Sequence, residues 1–382
     1  MKFDKKYFTL IKHLIKEGIS LDRDDGIEIK SIPFYNLSLD LKDEFPISRF
    51  SNISFEEEVL TMLWNFQMMS NDVRELHKRG IHKLDEYMID SDGIYRMYKK
   101  KRNFSYKEDE EQKESVAVYD YNGNSDIYPR FDDDGYMLIA RSLVPEKSIE
   151  SALYYGSDFS YTTGTSLGYV INHYNLSRMM EEKIKNRDIN SYETIDFNKL
   201  EFTNSSTYDA GICSCSWFIS SNKLNFNIAL RNINLLTELP NLIVQYSTLL
   251  MMMASVSKLD IGKINFSIEN VYVELCELEK LNKQLDRWNI YQRMTRYSKG
   301  DLEKLKRLIL DMKNNQMGRF NTLSCSMYDR LQNIEMILNP ITPKIWLNPE
   351  IDSFFDFDNY KLRDTKLRTG KERLLILSEF TF

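Results

Sequence analysis

Cysteine is scarce in this 382-residue chain, with four residues at Cys213, Cys215, Cys276 and Cys325. A Cys-Ser-Cys pair and two distant singles match neither a disulfide framework nor the paired spacing of a zinc site, so free thiols in a reducing cytoplasm and no metal are expected. An excess of basic residues is also lacking. The net charge of -6 excludes a surface built mainly to neutralise a phosphate backbone, and nucleic acid is not indicated as a partner. Long hydrophobic runs are missing as well. The most apolar segment, Leu242 to Val256, is interrupted by Gln245, Tyr246, Ser247 and Thr248 and reads as too short to cross a bilayer, so a buried helix and no membrane are expected. At the N-terminus Tyr7, Phe8, Leu10, Ile11, Leu14 and Ile15 follow helical spacing broken by charge, unlike the continuous apolar run of a signal peptide. What is present is ample core material: 42% hydrophobic and 13% aromatic residues, enough for one large domain or two ordinary ones.

The stretch from Phe45 to Tyr87 has the most specific order of features. Phe45-Pro46 leads into an apolar helix expected over Ile53 to Met69, with acidic Glu56, Glu57 and Glu58 favouring its first turn. Its centre is Leu63-Trp64-Asn65-Phe66-Gln67, followed by Ser70-Asn71-Asp72, a short helix ending near Gly80, and Leu84-Asp85-Glu86-Tyr87, read as a strand start. This order resembles the thymidylate synthases and their pyrimidine hydroxymethylase relatives. There it runs Phe-Pro, Glu-Leu-Leu-Trp-Phe-Leu, a Thr-Asn turn, Gly, then Trp-Asp-Glu-Trp.

A second block, Ser216 to Arg287, is similar to the same family without a gap. Trp217 to Ile219 and Leu224 to Leu230 read as paired strands, Arg231-Asn232-Ile233-Asn234 stands where relatives have Arg-Ser-x-Asp, and Leu239-Pro240 opens the buried helix that Gly262 is expected to end. The resemblance implies an α+β fold, a mixed β-sheet with surrounding helices. Residues 1–97, 164–287 and 341–382 would form the core. Residues 98–163 fit nothing in the family pattern and read as an insertion with a charge run, a hairpin strand at Val116 to Tyr119, and a solvated turn at Asp132-Asp133-Asp134. Residues 288–340 read as a second insertion, a helical hairpin, from the spacing of Leu302, Leu305, Leu308, Ile309, Met312, Leu331, Ile334 and Ile337.

The family's chemistry, C5 one-carbon transfer to a pyrimidine nucleotide, needs a thiolate nucleophile, a carboxylate that manages protons, and a cationic phosphate cradle. Carried over position by position, the nucleophile falls at Gly211 and the following histidine at Ile212. Cys213 and Cys215 lie two and four residues on, expected on the same strand face, and are the candidate catalytic thiols; the other reading is two inert cysteines in the core. The proton-handling glutamate falls at Thr61, with Glu58 one turn earlier. For phosphate and nucleotide, Arg23 and Arg231 match family arginines, with Asn232, Asn234 and Tyr272 beside them. Arg23 also reads as a solvated residue of an acidic turn. The arginine pair that relatives lend across a dimer falls at Tyr192 and Glu193. On the base or folate side stand Asp85, Tyr87 and Leu242, the last at the base-reading asparagine; Leu84, Tyr87 and Glu238 replace two tryptophans and a glycine, and Glu274 replaces a tyrosine.

Residues that match the family are those a fold needs, and residues that differ are those the reaction needs. The leading expectation is a thymidylate-synthase-like scaffold that has lost the transfer chemistry and serves as a structural, partner-binding or nucleotide-binding protein, with no cofactor. The alternative is an active deoxypyrimidine monophosphate methyl- or hydroxymethyltransferase using Cys213 or Cys215 with methylenetetrahydrofolate. Either reading implies a homodimer through the large sheet, with the two insertions as surface for a protein partner. Abundant Asn, Ile, Lys and Tyr suit an AT-rich genome such as that of many bacteriophages, in which case the cytoplasm is the host's.

Overall fold

The computed structural model describes residues 2–23, 27–42, 44–48, 50–51, 53–98, 115–119, 125–129, 149–187, 193–197, 206–315, 325–340, 342–357 and 360–364. The Asp132 to Asp134 turn, the charge run from Lys99, Tyr192, the Glu193 side chain and the tail from Gly370 lie outside that set. The chain divides into two compact units, one of residues 1–70, 167–204 and 209–382, the other of residues 71–166 and 205–208.

A six-stranded mixed sheet forms the first unit, built from β1 (Ile19–Asp22), β2 (Glu28–Asp40), β7 (Glu193–Asp196), β8 (Ile212–Ser220), β9 (Lys223–Asn234) and β10 (Asp260–Glu274). The order is β1-β2-β10-β9-β8-β7, antiparallel throughout except between β9 and β10. Parallel neighbours cannot be joined by a tight turn. The crossover is helix α6 (Leu239–Val256), and it explains that helix's composition: both its ends must return to the sheet, so nearly every residue from Leu239 to Val256 is buried. Leu239 and Pro240 open it, where the sequence puts its start. By length and composition it is the one described helix that could cross a membrane, but 89% of it is buried inside the protein. It stops at Val256. Gly262 does not end it but lies in β10 at a bulge, where a Cβ would meet the Leu224 carbonyl oxygen at 2.5 Å.

Alternation along β8 and β9 sends Cys215, Trp217, Phe226 and Ile228 into the core, with the Trp217 and Phe226 rings stacked at 3.7 Å. The other face of β9 and β10 is polar, and Asn265 Nδ2 donates to Asn227 Oδ1 at 2.7 Å. Helix α1 (Lys2–Glu17) buries Tyr7, Phe8, Leu10, Ile11 and Leu14, and Tyr7 donates to the Leu235 carbonyl at 2.9 Å. Helix α2 (Phe55–Phe66) starts at the N-cap Ser54, whose hydroxyl accepts from the Glu57 N–H, and its first turn carries Glu56, Glu57 and Glu58 where the helix dipole favours acids. It packs Val59, Met62, Leu63 and Phe66 into the main core. Helix α4 (Leu167–His173) comes so close to the chain after α2 that a Cβ on Gly168 would lie 1.8 Å from the Ser70 carbonyl oxygen. Helix α5 is Leu176–Lys185. Beyond β10, α7 (Leu278–Met294) runs past the expected start of the helical hairpin, and α8 (Lys299–Asn315) and α9 (Cys325–Leu338) share with it a small apolar cluster of Met294, Leu302, Ile309 and Ile334. The late strand β11 (Pro343–Leu347) pairs antiparallel with β12 (Tyr360–Asp364).

In the second unit, helix α3 (Arg74–His77) precedes the pair β3 (Ile94–Tyr98) and β6 (Ile149–Tyr154), and β4 (Ser115–Tyr119) pairs with β5 (Ser125–Pro129). The segment read as a strand start is instead a 3-10 turn, Asp85–Tyr87. Tight local bonds from Asp85 N–H to the His82 carbonyl and from Tyr87 N–H to the Leu84 carbonyl take the backbone groups a strand would need.

Candidate functional site

Three first-unit candidates, Arg23, Asn234 and Tyr272, meet at the C-terminal ends of the parallel pair β9 and β10. Asn234 and Tyr272 are register partners there, and the Leu235 N–H donates to the Tyr272 carbonyl at 2.7 Å. From the turn between β1 and β2, Arg23 reaches the same place, its guanidinium 5.6 Å from the centre of the Tyr272 ring. Burial, then the nearby Glu238, push the Tyr272 hydroxyl up to about 12, against the opposing pull of Arg23.

At Gly211, where the resemblance puts the family's nucleophile, the backbone leaves little room for a side chain. Gly211 has a φ of 69°, and a Cβ there would come 2.6 Å from Ile233 Cδ1. Its N–H donates to Asp209 Oδ1 at 2.8 Å and its carbonyl accepts from the Arg231 N–H at 2.9 Å. One residue later, Ile212 pairs with Leu230 while Ser214 pairs with Ala229, so Cys213 is the extra residue of a bulge. The bulge separates two thiols that strand alternation alone puts on one face. Cys215 is fully buried and its thiol is pushed up to about 12 by that burial. Half-buried Cys213 is hydrogen-bonded by Arg231. Its thiol pKa is nevertheless raised, because partial desolvation, with Glu269 and Asp209 nearby, outweighs the guanidinium.

Carboxylates crowd the rest of this rim. Glu238 is open to solvent over much of its length, but its carboxylate turns inward to accept from the Asn234 N–H at 2.7 Å. Its pKa is raised by desolvation and by Asp209 and Glu277, with the Asn234 bond and Arg23 opposing. Asn234 donates from Nδ2 to Glu277 Oε2 at 2.8 Å, and its Oδ1 accepts from the N–H groups of Leu236 and Thr237. Five carboxylates, Asp209, Glu238, Glu269, Glu274 and Glu277, thus act on the groups that two guanidiniums, Arg23 and Arg231, also reach. Asn232 is exposed and Leu242 is buried in α6. At the proton-handling position, the Thr61 hydroxyl donates to the Glu57 carbonyl at 2.7 Å, a bond local to its own helix. Glu58 is buried and accepts from Gln245 of α6 at 2.6 Å, a pairing across two helices that neither residue's spacing announces.

Asp85 and Tyr87 belong to the second unit. Tyr87 lies against Tyr208, ring centres 5.1 Å apart, and its carbonyl accepts from the Thr207 hydroxyl at 2.5 Å. Asp85 accepts from two histidines, His77 and His82, which the sequence reading did not single out. The spacing His-x4-His-x2-Asp was the available signal. Asp209 was missed too, although Asp-Ala-Gly is the composition of a side-chain-capped turn.

A mixed sheet with one helical crossover, helices on its core face and an arginine-bearing rim at the ends of the parallel strands defines an α+β protein of a known type. The thymidylate synthase family profile matches residues 5–338, and the chain belongs to that family. It is 21% identical to the thymidylate synthase of Bacillus mojavensis over 382 residues, covering 96% of this chain and 95% of the relative. It is 20% identical to that of Clostridium beijerinckii over 366 residues, covering 95% of each. A shorter match, 32% over 107 residues, joins 25% of the chain to 38% of the thymidylate synthase of Bacillus phage phi3T. Among solved structures, the thermostable thymidylate synthase A from Bacillus subtilis superposes with a TM-score of 0.57 at 17% identity over 94% of each chain, a likeness of fold.

Proposed function

We propose that this chain keeps the thymidylate synthase scaffold without C5 one-carbon transfer and acts as a structural or partner-binding protein. The observation that carries this reading is the state of the nucleophile seat. Gly211 occupies it with a backbone unsuited to a side chain, and the thiol beside Arg231, Cys213, has its pKa raised where a nucleophile needs it lowered. The rim supports the same conclusion, because a phosphate dianion brought to Arg23 and Arg231 would also face Glu238 and Asp209. Methylenetetrahydrofolate is not used on this reading: the Asn234 side-chain amide is committed to Glu277 and its backbone N–H to the Glu238 carboxylate. On this reading the polar face of β9 and β10 pairs with a second copy, the segments 98–163 and 288–340 offer partner surface, and the thiols stay free in a cytoplasm. Tritium release from C5-labelled deoxyuridylate or deoxycytidylate, with methylenetetrahydrofolate supplied, tests the loss of chemistry. No release above a buffer blank is expected, and turnover would overturn the proposal.

One observation favours the second reading, an active and divergent transferase: the Arg231 hydrogen bond to Cys213 places a thiol beside the family-motif arginine. That reading requires Cys213→Ser to abolish tritium release and a deoxypyrimidine monophosphate to raise the melting temperature, with Arg231→Ala removing the shift.

A further inference from the structure

Away from the rim, the second unit brings together half of the chain's histidines. The chain has four His, and two of them, His77 and His82, converge on Asp85. The convergence is built by the backbone. Helix α3 ends at His77; the chain then turns, with the Gly80 N–H bonded to the His77 carbonyl and the Ile81 N–H to the Leu76 carbonyl, before the 3-10 turn begins at Asp85. Leu76, Ile81 and Leu84 are the buried anchors, 1%, 3% and 3% exposed. Each anchor precedes one of the three polar residues, so the same packing that fixes the loop holds His77, His82 and Asp85 on its open side. His77 Nε2 lies 2.6 Å from Asp85 Oδ1, His82 Nδ1 lies 3.1 Å from Asp85 Oδ2, and the two imidazoles stack with centres 4.7 Å apart.

We propose that His77, His82 and Asp85 form a binding site for a divalent first-row transition metal of the zinc or cobalt type. One ligand atom from each residue lies within 4.8 Å of the other two. Tetrahedral bonds of about 2.0–2.1 Å place ligand atoms roughly 3.3 Å apart, so small side-chain rotations bring all three donors onto one ion. Two imidazoles with one carboxylate select zinc, cobalt, nickel or iron over the hard, oxygen-seeking calcium and magnesium. Of the nearby cations, Lys78 and Arg79 reach Glu75, at 2.6 and 3.9 Å. Three protein ligands leave a fourth position for water or for a group from another molecule. This site is independent of what the arginine rim does.

The test uses the full chain, stripped with a chelator and titrated with zinc chloride and separately with cobalt chloride. The parent is expected to bind one equivalent at this site, to show the strong visible absorption of four-coordinate cobalt, and to melt at a higher temperature with zinc than without. His82→Ala and Asp85→Asn should each weaken binding at least about 10-fold, the low end of what is typical even for partners outside the coordination shell. His13→Ala alters an exposed histidine paired with Glu17 at 3.2 Å and should leave the affinity unchanged. Melting curves without metal establish that each variant folds. If the His77→Ala/His82→Ala protein binds as the parent does, or the parent binds no ion, the three residues are only a hydrogen-bonded surface cluster and the proposal is wrong.

Discussion

A cysteine introduced by Gly211→Cys, where the resemblance puts the family's nucleophile, should harm the protein and confer no transfer activity. Gly211 has a φ of 69°, where a residue with a side chain costs about 1–3 kcal/mol. The new Cβ would also stand 2.6 Å from Ile233 Cδ1. Ordinary carbon contacts lie near ~3.5–4.0 Å, so the end of the buried Ile233 side chain must retreat by roughly 1 Å, adding at the low end of overpacking costs, about 1 kcal/mol. The expected total is a loss of about 2–4 kcal/mol. Urea denaturation of Gly211→Cys and Gly211→Ala measures it, with unchanged slope and lowered midpoint in both. Tritium release from C5-labelled deoxyuridylate by Gly211→Cys should stay at the blank, because Thr61 and the carboxylates of the rim remain. Stability within about 0.5 kcal/mol of the parent, the range of an innocuous surface change, would show that the backbone does not close this seat. Release of tritium would show that a thiol at this one position suffices for turnover.

Three further outcomes follow from the packing and the charges. Gly168→Ala puts a methyl group 1.8 Å from the Ser70 carbonyl oxygen, backbone against backbone with no side chain able to swing aside, and should lower stability by about 3 kcal/mol or more in the same denaturation assay. Gln245→Leu removes the amide that Glu58 accepts from at 2.6 Å and should cost about 2 kcal/mol, as expected for a buried hydrogen bond to a charged group. Alkylation of Cys213 by iodoacetamide should follow a thiolate whose inflection lies above the ordinary 9.0. The thiolate is the charged form, so removing the negative charge in Asp209→Asn should move the inflection down and speed alkylation at fixed pH, while Arg231→Gln should move it up. An unchanged inflection in both variants would mean that Cys213 does not sense this rim.

Much of the core was legible because apolar spacing and core position are the same information. Leu63, Trp64 and Phe66 announce a buried helix, and Trp217 with Phe226 and Ile228 announce paired strands, since period 2 or 3.6 is what packing on one face requires. The site was legible only as a register. Counting from Ile219 and Leu224 carries the family's nucleophile to position 211, but no count reveals that Gly211 is bonded to Arg231 or that Cys213 bulges, which depends on how β8 pairs with β9. The start of α6 was legible in Leu239 and Pro240, since proline is well suited to the first turn of a helix, whereas its end at Val256 was not, because Gly262 serves a bulge in β10. Glu58 with Gln245, and His77 with His82 and Asp85, are meetings of side chains that only the folded backbone arranges.

The single parallel pair in an otherwise antiparallel sheet has a consequence for how this protein can change. Because α6 carries the chain back to start β10 in the same direction as β9, the ends of both strands, with Asn234 and Tyr272 in register, open on one edge. Pockets of open sheets gather at such carboxyl ends. Their location is inherited from connectivity, while the buried Trp217–Phe226 stack, with Tyr246 edge-on to Phe226, holds the strands in place. The rim side chains Arg23 and Arg231 lie outside that buried stack, so substitutions there can alter what the edge binds while the strands that form it stay in place.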